Sequence, residues 1–158
     1  MSITAGYHRF MSHQSYLPKA WVKMFYLLFG AATFQGSALK WCSDHRRHHR
    51  HVDTQDDPYS IKRGFFFAHI GWLFVKDDPK YRGKFAPDLA KDPMIAFQHK
   101  YYGPIAVIMG FGVPTLTGWM FGDAMSGFIY GGVLRVVFVH HCTFFINSLC
   151  HMLGTQPY

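Results

Sequence analysis

Eleven histidines are distributed over 158 residues, and six of them stand where they could share metal. His8-Arg-Phe-Met-Ser-His13 and His45-Arg-Arg-His48-His49 are tight groups separated by an apolar stretch, and His151 follows far downstream. Imidazole is the commonest side-chain metal ligand and suits iron, copper, zinc and nickel. Imidazoles gathered in groups from distant segments point to a polynuclear metal centre. On an α-helix His45, His48 and His49 fall within about 100° of arc, because i, i+3 and i+4 share a face. Three such ligands hold one ion or bridge towards two. His8 and His13 are five apart, which an α-helix sets about 140° apart. They share an ion only at a helix end, or else serve two ions. A solvated basic face that binds metal adventitiously would also read His-Arg-Arg-His-His-Arg-His; the joint pattern is what favours a built site.

The rest of the inventory narrows the donor set. The nine acids are all Asp, with no Glu, so a soluble carboxylate-bridged bundle with Glu-x-x-His ligands is excluded. Cys42, Cys142 and Cys150 form no C-x-x-C pair and read as reduced, structural thiols. The net charge of +7 invites a nucleic-acid partner, but 12 of the 16 Lys and Arg lie between Lys40 and Lys100. That asymmetry is what the positive-inside rule predicts for a cytoplasmic segment ahead of a membrane hairpin, and no nucleic acid is needed to explain it.

The elements that must position the histidines follow from hydropathy. No residue from Tyr101 to Gly122 is charged, and from Asp123 to Cys150 only Asp123 and Arg135 are. Each stretch reaches the roughly 20 residues a helix needs to cross a bilayer. Together they predict a transmembrane hairpin over 101–150, turning at Gly122–Gly127. Residues 20–39 predict an apolar helix between the two clusters. Were it to span, the clusters would lie on opposite faces about 30 Å apart. The in-plane placement is therefore preferred, with Gly30, Gln35 and Gly36 weakening it as a span. Residues 50–100 are polar and punctuated by Asp-Pro turns, with one apolar island, 64–75, expected as a short amphipathic helix on the membrane. The hairpin returns Asn147 and His151, four apart on one helical face, to the side that holds both clusters. The fold class expected is all-α: one domain over 1–158, with a cytoplasmic histidine-rich cap (1–100) over the hairpin.

The residues Gly6-Tyr-His-Arg-Phe-Met-Ser-His13, Trp41-Cys-Ser-Asp-His-Arg-Arg-His-His49 and the ending from Asn147 to Tyr158 resemble the membrane fatty acyl desaturases, most closely the acyl-CoA delta-9 type. Arg63–Val75 and Thr143–Ser148 fit as well, so the resemblance runs nearly the whole length. It implies an oxidoreductase that uses two iron ions, O2 and two electrons to insert a cis double bond into a saturated fatty acyl-CoA. By the family pattern the iron ligands are His8, His13, His45, His48, His49 and His151, with Asn147 reaching iron through water and Asp44 orienting a ligand imidazole. Gln35, Trp41 and Thr143 match positions that bend the acyl tunnel near the metals. It also implies cytochrome b5 or a ferredoxin as electron donor, and a multi-pass setting with the histidines on the cytoplasmic face. That membrane is the endoplasmic reticulum in a eukaryote or the inner (plasma) membrane in a bacterium. The family's first transmembrane pair and its third histidine box, HxxHH, have no counterpart in these residues, so an internal piece, inactive alone, is expected.

Other roles are open at several of these positions. Trp41 also suits an interfacial anchor, Thr143 an ordinary small polar residue in an apolar helix, and Asp44 a helix cap. His51 is expected in solvent, and His69 and His99 packed. His140 and His141 lie too far along the helix from His151 to join it, although His140 shares the Asn147 face and is placed to line the substrate path. Arg135 requires an anionic or carbonyl partner. A related membrane di-iron hydroxylase and a non-catalytic membrane metal-binding protein are the alternatives.

Overall fold

Two helices dominate the molecule because their sequences leave no other way to satisfy backbone groups in an apolar medium. The computed structural model describes residues 1–81 and 83–154, and among these it is helical without a strand. Tyr102–Met120 and Ala124–Met152 are long and apolar enough to cross a membrane, with window hydropathies of 1.2 and 1.5. Only 11% of each window is buried. A core helix of a soluble protein would hide its apolar face, whereas these present Trp119, Met120 and Phe138 outward. Such surface fits hydrocarbon.

The two spans meet through glycine. A Cβ on Gly127 would lie 2.4 Å from the Pro114 carbonyl oxygen and 2.9 Å from Gly118 Cα, so the backbones touch where both residues lack side chains. With Gly131 one turn on, Gly127 forms the small-x-x-x-small spacing that lets membrane helices approach closely. The reversal needs Gly122, whose φ of +89° is a left-handed conformation. Asp123 then caps the return helix by accepting the Ser126 N–H at 2.9 Å.

The helix expected over 20–39 stops at Ala31, and a separate helix, Ala38–Arg50, carries the second histidine group. Hydropathy continues through the break but backbone chemistry does not. The Thr33 hydroxyl donates to Gly30 O at 2.7 Å, Phe34 has φ +57°, and Gly36 has φ +98°. Ser37 restarts the helix by accepting the Lys40 N–H. The turn separates the apolar helix from the histidine helix, and at 12 and 13 residues each is shorter than the roughly 20 that a span needs.

The first histidine group also departs from α-geometry, since Ser2–Ser12 is a π-helix. Its buried side packs Tyr7 and Met11 against Leu27, Cys42 and Ile95. Gly30 is required there, because a Cβ would meet the Tyr7 ring at 2.4 Å. Gln98 ties this core together, donating to Tyr7 Oη at 2.9 Å and accepting the Ala38 N–H at 3.1 Å. The apolar island forms two short pieces, Phe65–His69 and Gly71–Phe74, and His69 hydrogen-bonds Ser148 on the second span.

Candidate metal centre

The π-helix closes the gap that α-geometry would leave between His8 and His13. Its bonds run from i+5 to i, and the His13 N–H donates to the His8 carbonyl at 3.0 Å. Residues five apart therefore share a face, and the two rings lie 4.5 Å apart. On the Ala38–Arg50 helix His45 and His49 are one turn apart, with Nε2 atoms separated by 3.0 Å. His13 Nε2 is 3.2 Å from His45 Nε2. One ligand atom from each of His8, His13, His45 and His49 lies within 4.8 Å of all the others.

These separations fit a metal. Two imidazole nitrogens, each about 2.1 Å from one ion, stand about 3.0 Å apart when cis. The chemistry of the set agrees. Burial, followed by the neighbouring imidazoles, lowers the pKa of His45 to about 2 and that of His49 below its usual range. For His8 burial lowers it first, then His13 and Arg9. Neutral rings offer lone pairs, which ligation requires. His8 Nδ1 is buried without a hydrogen-bond partner. Trp41 stacks on His45 with ring centres 4.8 Å apart, fixing the ring plane.

His48 is not in this group. Its Nδ1 sits 2.9 and 3.0 Å from the two carboxylate oxygens of Asp57, whose side chain is fully buried. A carboxylate accepts, so Nδ1 carries the proton, and the tautomer this contact selects for a neutral ring has its lone pair on Nε2. The His151 ring lies 5.0 Å from His48, with Nδ1 3.5 Å from Asp53 Oδ1. The six histidines thus divide into a group of four and an adjoining pair; the His45 and His48 ring centres are 6.4 Å apart. Asn147, one turn before His151, lines the cavity beside the centre.

Asp44 makes no hydrogen bond to an imidazole among the described residues. It pairs with Lys40 at 2.6 Å, and burial raises its pKa. Asp57 makes the contact to a histidine instead. In the sequence Asp56-Asp-Pro58 reads only as turn punctuation, and it is the return of the loop onto the histidine helix that distinguishes Asp57.

Gln35, Trp41 and Thr143 form a chain across a cavity of about 1240 Å³ that runs from His8 and His45 to Val113 and Pro114 in the hairpin. Trp41 Nε1–H donates to Gln35 Oε1 at 3.1 Å, and Gln35 Nε2–H donates to Thr143 Oγ1 at 2.9 Å. Of the remaining histidines, His99 hydrogen-bonds Ser37 and His69 meets Ser148 and His141, as packed residues do. His51, expected in solvent, is half-buried near Phe85. Arg135 finds carbonyl partners: Gly131, Ala32 and Gly110. Residues 155–158 of the ending motif lie outside the described residues.

Two apolar helices long enough to span, and a cluster of four imidazoles of which His8 and His45 line a largely apolar cavity, define a membrane-type histidine-rich protein. A sequence model of the family "fatty acid desaturase" matches residues 1–157, and the chain belongs to that family. It is 46% identical over 160 residues to a probable acyl-CoA desaturase of Schizosaccharomyces pombe, covering all of this chain and 33% of that protein. Acyl-CoA desaturase 1 of Saccharomyces cerevisiae is 45% identical over 160 residues, again across the whole chain and 31% of the relative. Human stearoyl-CoA desaturase 5 is 38% identical over 164 residues, with the whole chain and 50% of the relative covered. The chain spans about a third to a half of the length of these relatives.

Proposed function

We propose that this chain is the part of an acyl-CoA desaturase that holds iron against the acyl tunnel and sets the bend of the substrate. The overall reaction takes a saturated acyl chain, O2, two electrons and two protons to a cis alkene, delta-9 by the likeness to its relatives, and two waters. The observation that carries the reading is the four-imidazole group bordering a tunnel-sized apolar cavity. His8, His13, His45 and His49 would hold one iron; His48 and His151, with Asn147 through water, would contribute to a second. Iron with O2 supplies the oxidising power to take hydrogen from an unactivated methylene, which side chains alone lack.

The chain's own residues do the rest. Trp41 lines the cavity and stacks on His45, so a wall that touches substrate would also fix a ligand ring. Gln35 and Thr143, hydrogen-bonded across the cavity, hold the bend, and the apolar lining excludes water. Asp57 holds the His48 tautomer that leaves Nε2 open. The basic segment 40–100 suits the phosphates of CoA and an acidic electron donor such as cytochrome b5 or a ferredoxin. In this reading the hairpin makes the protein multi-pass, with the histidines on the cytoplasmic face of the endoplasmic reticulum or of a bacterial plasma membrane.

The test expresses the chain in its complete reading frame in membranes supplied with saturated acyl-CoA and a reductant. Mass spectrometry of the acyl products and iron analysis of the purified protein are the readouts. An alkene that disappears with His49→Ala, together with bound iron, is the expected result. An alcohol in its place would make the protein a hydroxylase. Zinc or nickel without acyl product would make it a metal-binding protein.

A further inference from the structure

Among the ionisable residues mid-helix in the second span, Arg135 and His140 reach the turn ahead of the histidine helix and have no part in the proposed chemistry. Ionisable groups within apolar spans are costly and are kept where they have a task. Arg135 donates to Gly131 in its own helix at 2.7 Å, to Gly110 in the first span at 2.9 Å, and to Ala32 at 3.0 Å. His140 Nε2 lies 2.7 Å from the Thr33 carbonyl oxygen. A carbonyl only accepts, so Nε2 carries the proton in this contact. Three residues on, Thr143 receives the Gln35 amide at 2.9 Å.

Positions 135, 140 and 143 of one helix thus hold positions 32, 33 and 35 of the turn between the Ala20–Ala31 and Ala38–Arg50 helices, in matching order. The turn contains two residues of positive φ, Phe34 and Gly36, and its helix bonds end with the Phe34 N–H on Ala31. Its path beyond that point depends on what grips it from outside. Gln35 is in this segment, and the histidine helix starts three residues later. His140 and Arg135 also line the cavity, so the grip is made at the tunnel wall.

We infer that His140, with Arg135 behind it, is a positioning residue: by holding the Thr33 carbonyl it fixes Gln35, and with it the distance along the acyl tunnel from the bend to the imidazoles. That distance selects which pair of methylenes meets the metals. The inference rests on the desaturase reading. It gives the mid-span histidine a role through the backbone, without contact to metal.

The experiment uses the enzyme in its complete reading frame, in membranes, with saturated acyl-CoA. It compares His140→Leu, His140→Gln, Gln35→Ala and the double variant His140→Leu with Gln35→Ala. Only folded enzyme makes product, so the ratio of double-bond positional isomers is insensitive to expression level. His140→Leu is expected to lower kcat about tenfold, with KM changed less than about threefold, because small misplacement of bound substrate costs rate more than affinity. A second positional isomer should rise with it. His140→Gln, which keeps an N–H donor, should restore most of the original ratio. If His140 acts through Gln35, the double variant is no worse than Gln35→Ala alone. An unchanged isomer ratio and kcat in His140→Leu overturns the inference, as do multiplying effects in the double variant. Absence of alkene from the unsubstituted enzyme removes the desaturase reading, and this inference with it.

Discussion

Asp57→Asn separates the carboxylate that touches a histidine from the one that only neighbours the cluster in sequence. Every partner of Asp57 is a donor. Oδ1 accepts from Tyr59 N–H at 3.1 Å, Oδ2 accepts from Asp53 N–H at 3.0 Å, and both oxygens face His48 Nδ1. An asparagine brings an NH2 group into this site, where it must point at one of those donors. One charge-assisted bond is lost, about 1.5–3 kcal/mol, and one buried N–H is left unpaired, about 1–3 kcal/mol. The local cost is therefore on the order of 2.5–6 kcal/mol. Much of it falls on the His48 tautomer, because a neutral amide no longer favours the proton on Nδ1. Loss of such a supporting partner lowers metal affinity about 10–100-fold. The assay is iron retention by purified protein against a graded chelator, with thermal stability measured in parallel. Asp44→Asn is the control. Its carboxylate pairs with a Lys40 side chain that is 61% exposed, a contact worth about 0–1 kcal/mol, so iron retention should change little. Equal iron retention and stability in Asp57→Asn and the unsubstituted protein would refute this account of the pair. So would a larger loss of iron in Asp44→Asn than in Asp57→Asn.

His45 is the hub of the four-imidazole group, with Nε2 next to both His13 and His49, so His45→Ala should release more iron under the same chelator than His151→Ala. In the hairpin, Gly127→Val must push backbone apart and should cost about 1–3 kcal/mol in detergent unfolding. Gly112→Ala, where the nearest atom to a new Cβ is 4.0 Å away, should be neutral or stabilising. Asp88 forms a two-pronged ion pair with Arg46 at 2.5 and 2.9 Å, and Arg46 holds its carboxyl below the ordinary carboxylate range. A depressed carboxyl stabilises the fold above its unfolded pKa of about 3.9, and that contribution is lost as pH falls through the lower folded value. Asp88→Asn should thus cost no more than about 1 kcal/mol near pH 7, since its side chain is 40% exposed, and in thermal melts the difference should shrink as pH falls below the unfolded carboxyl value and vanish below the lowered folded one.

The hairpin was legible in the sequence because a charge-free run of about twenty residues has few alternatives, and the Gly122 turn announced itself. The break at Thr33–Gly36 was not. Its signals are single residues inside a run that stays apolar, and hydropathy cannot distinguish one helix from a helix and a turn. The Trp41–Gln35–Thr143 chain depended on that break: Gln35 reaches both Trp41 and Thr143 because it sits in the turn. Arg135 was recognisable as a cation within an apolar helix needing an anionic or carbonyl partner. Which partner it takes depended on where the turn docks.

The same distinction explains the metal centre. On α-geometry the spacing of five between His8 and His13 is awkward, while His45, His48 and His49 on one face hold one ion or bridge towards two. The structure relieves the first and separates the members of the second. A π-helix, where i and i+5 meet, makes His8 and His13 a proper pair. His48, one residue from His49 and on the same broad face, is drawn off by Asp57 towards His151. The HxxHH spacing therefore faces two ways: its i, i+4 pair closes the four-imidazole group, and its middle histidine turns to Asp57 and His151. The His48 ring lies nearer to His151, at 5.0 Å, than to His49, at 5.5 Å, or His45, at 6.4 Å. The buried Asp57 carboxylate, accepting from Nδ1, is the local reason that this ring is turned away from its two neighbours on the helix.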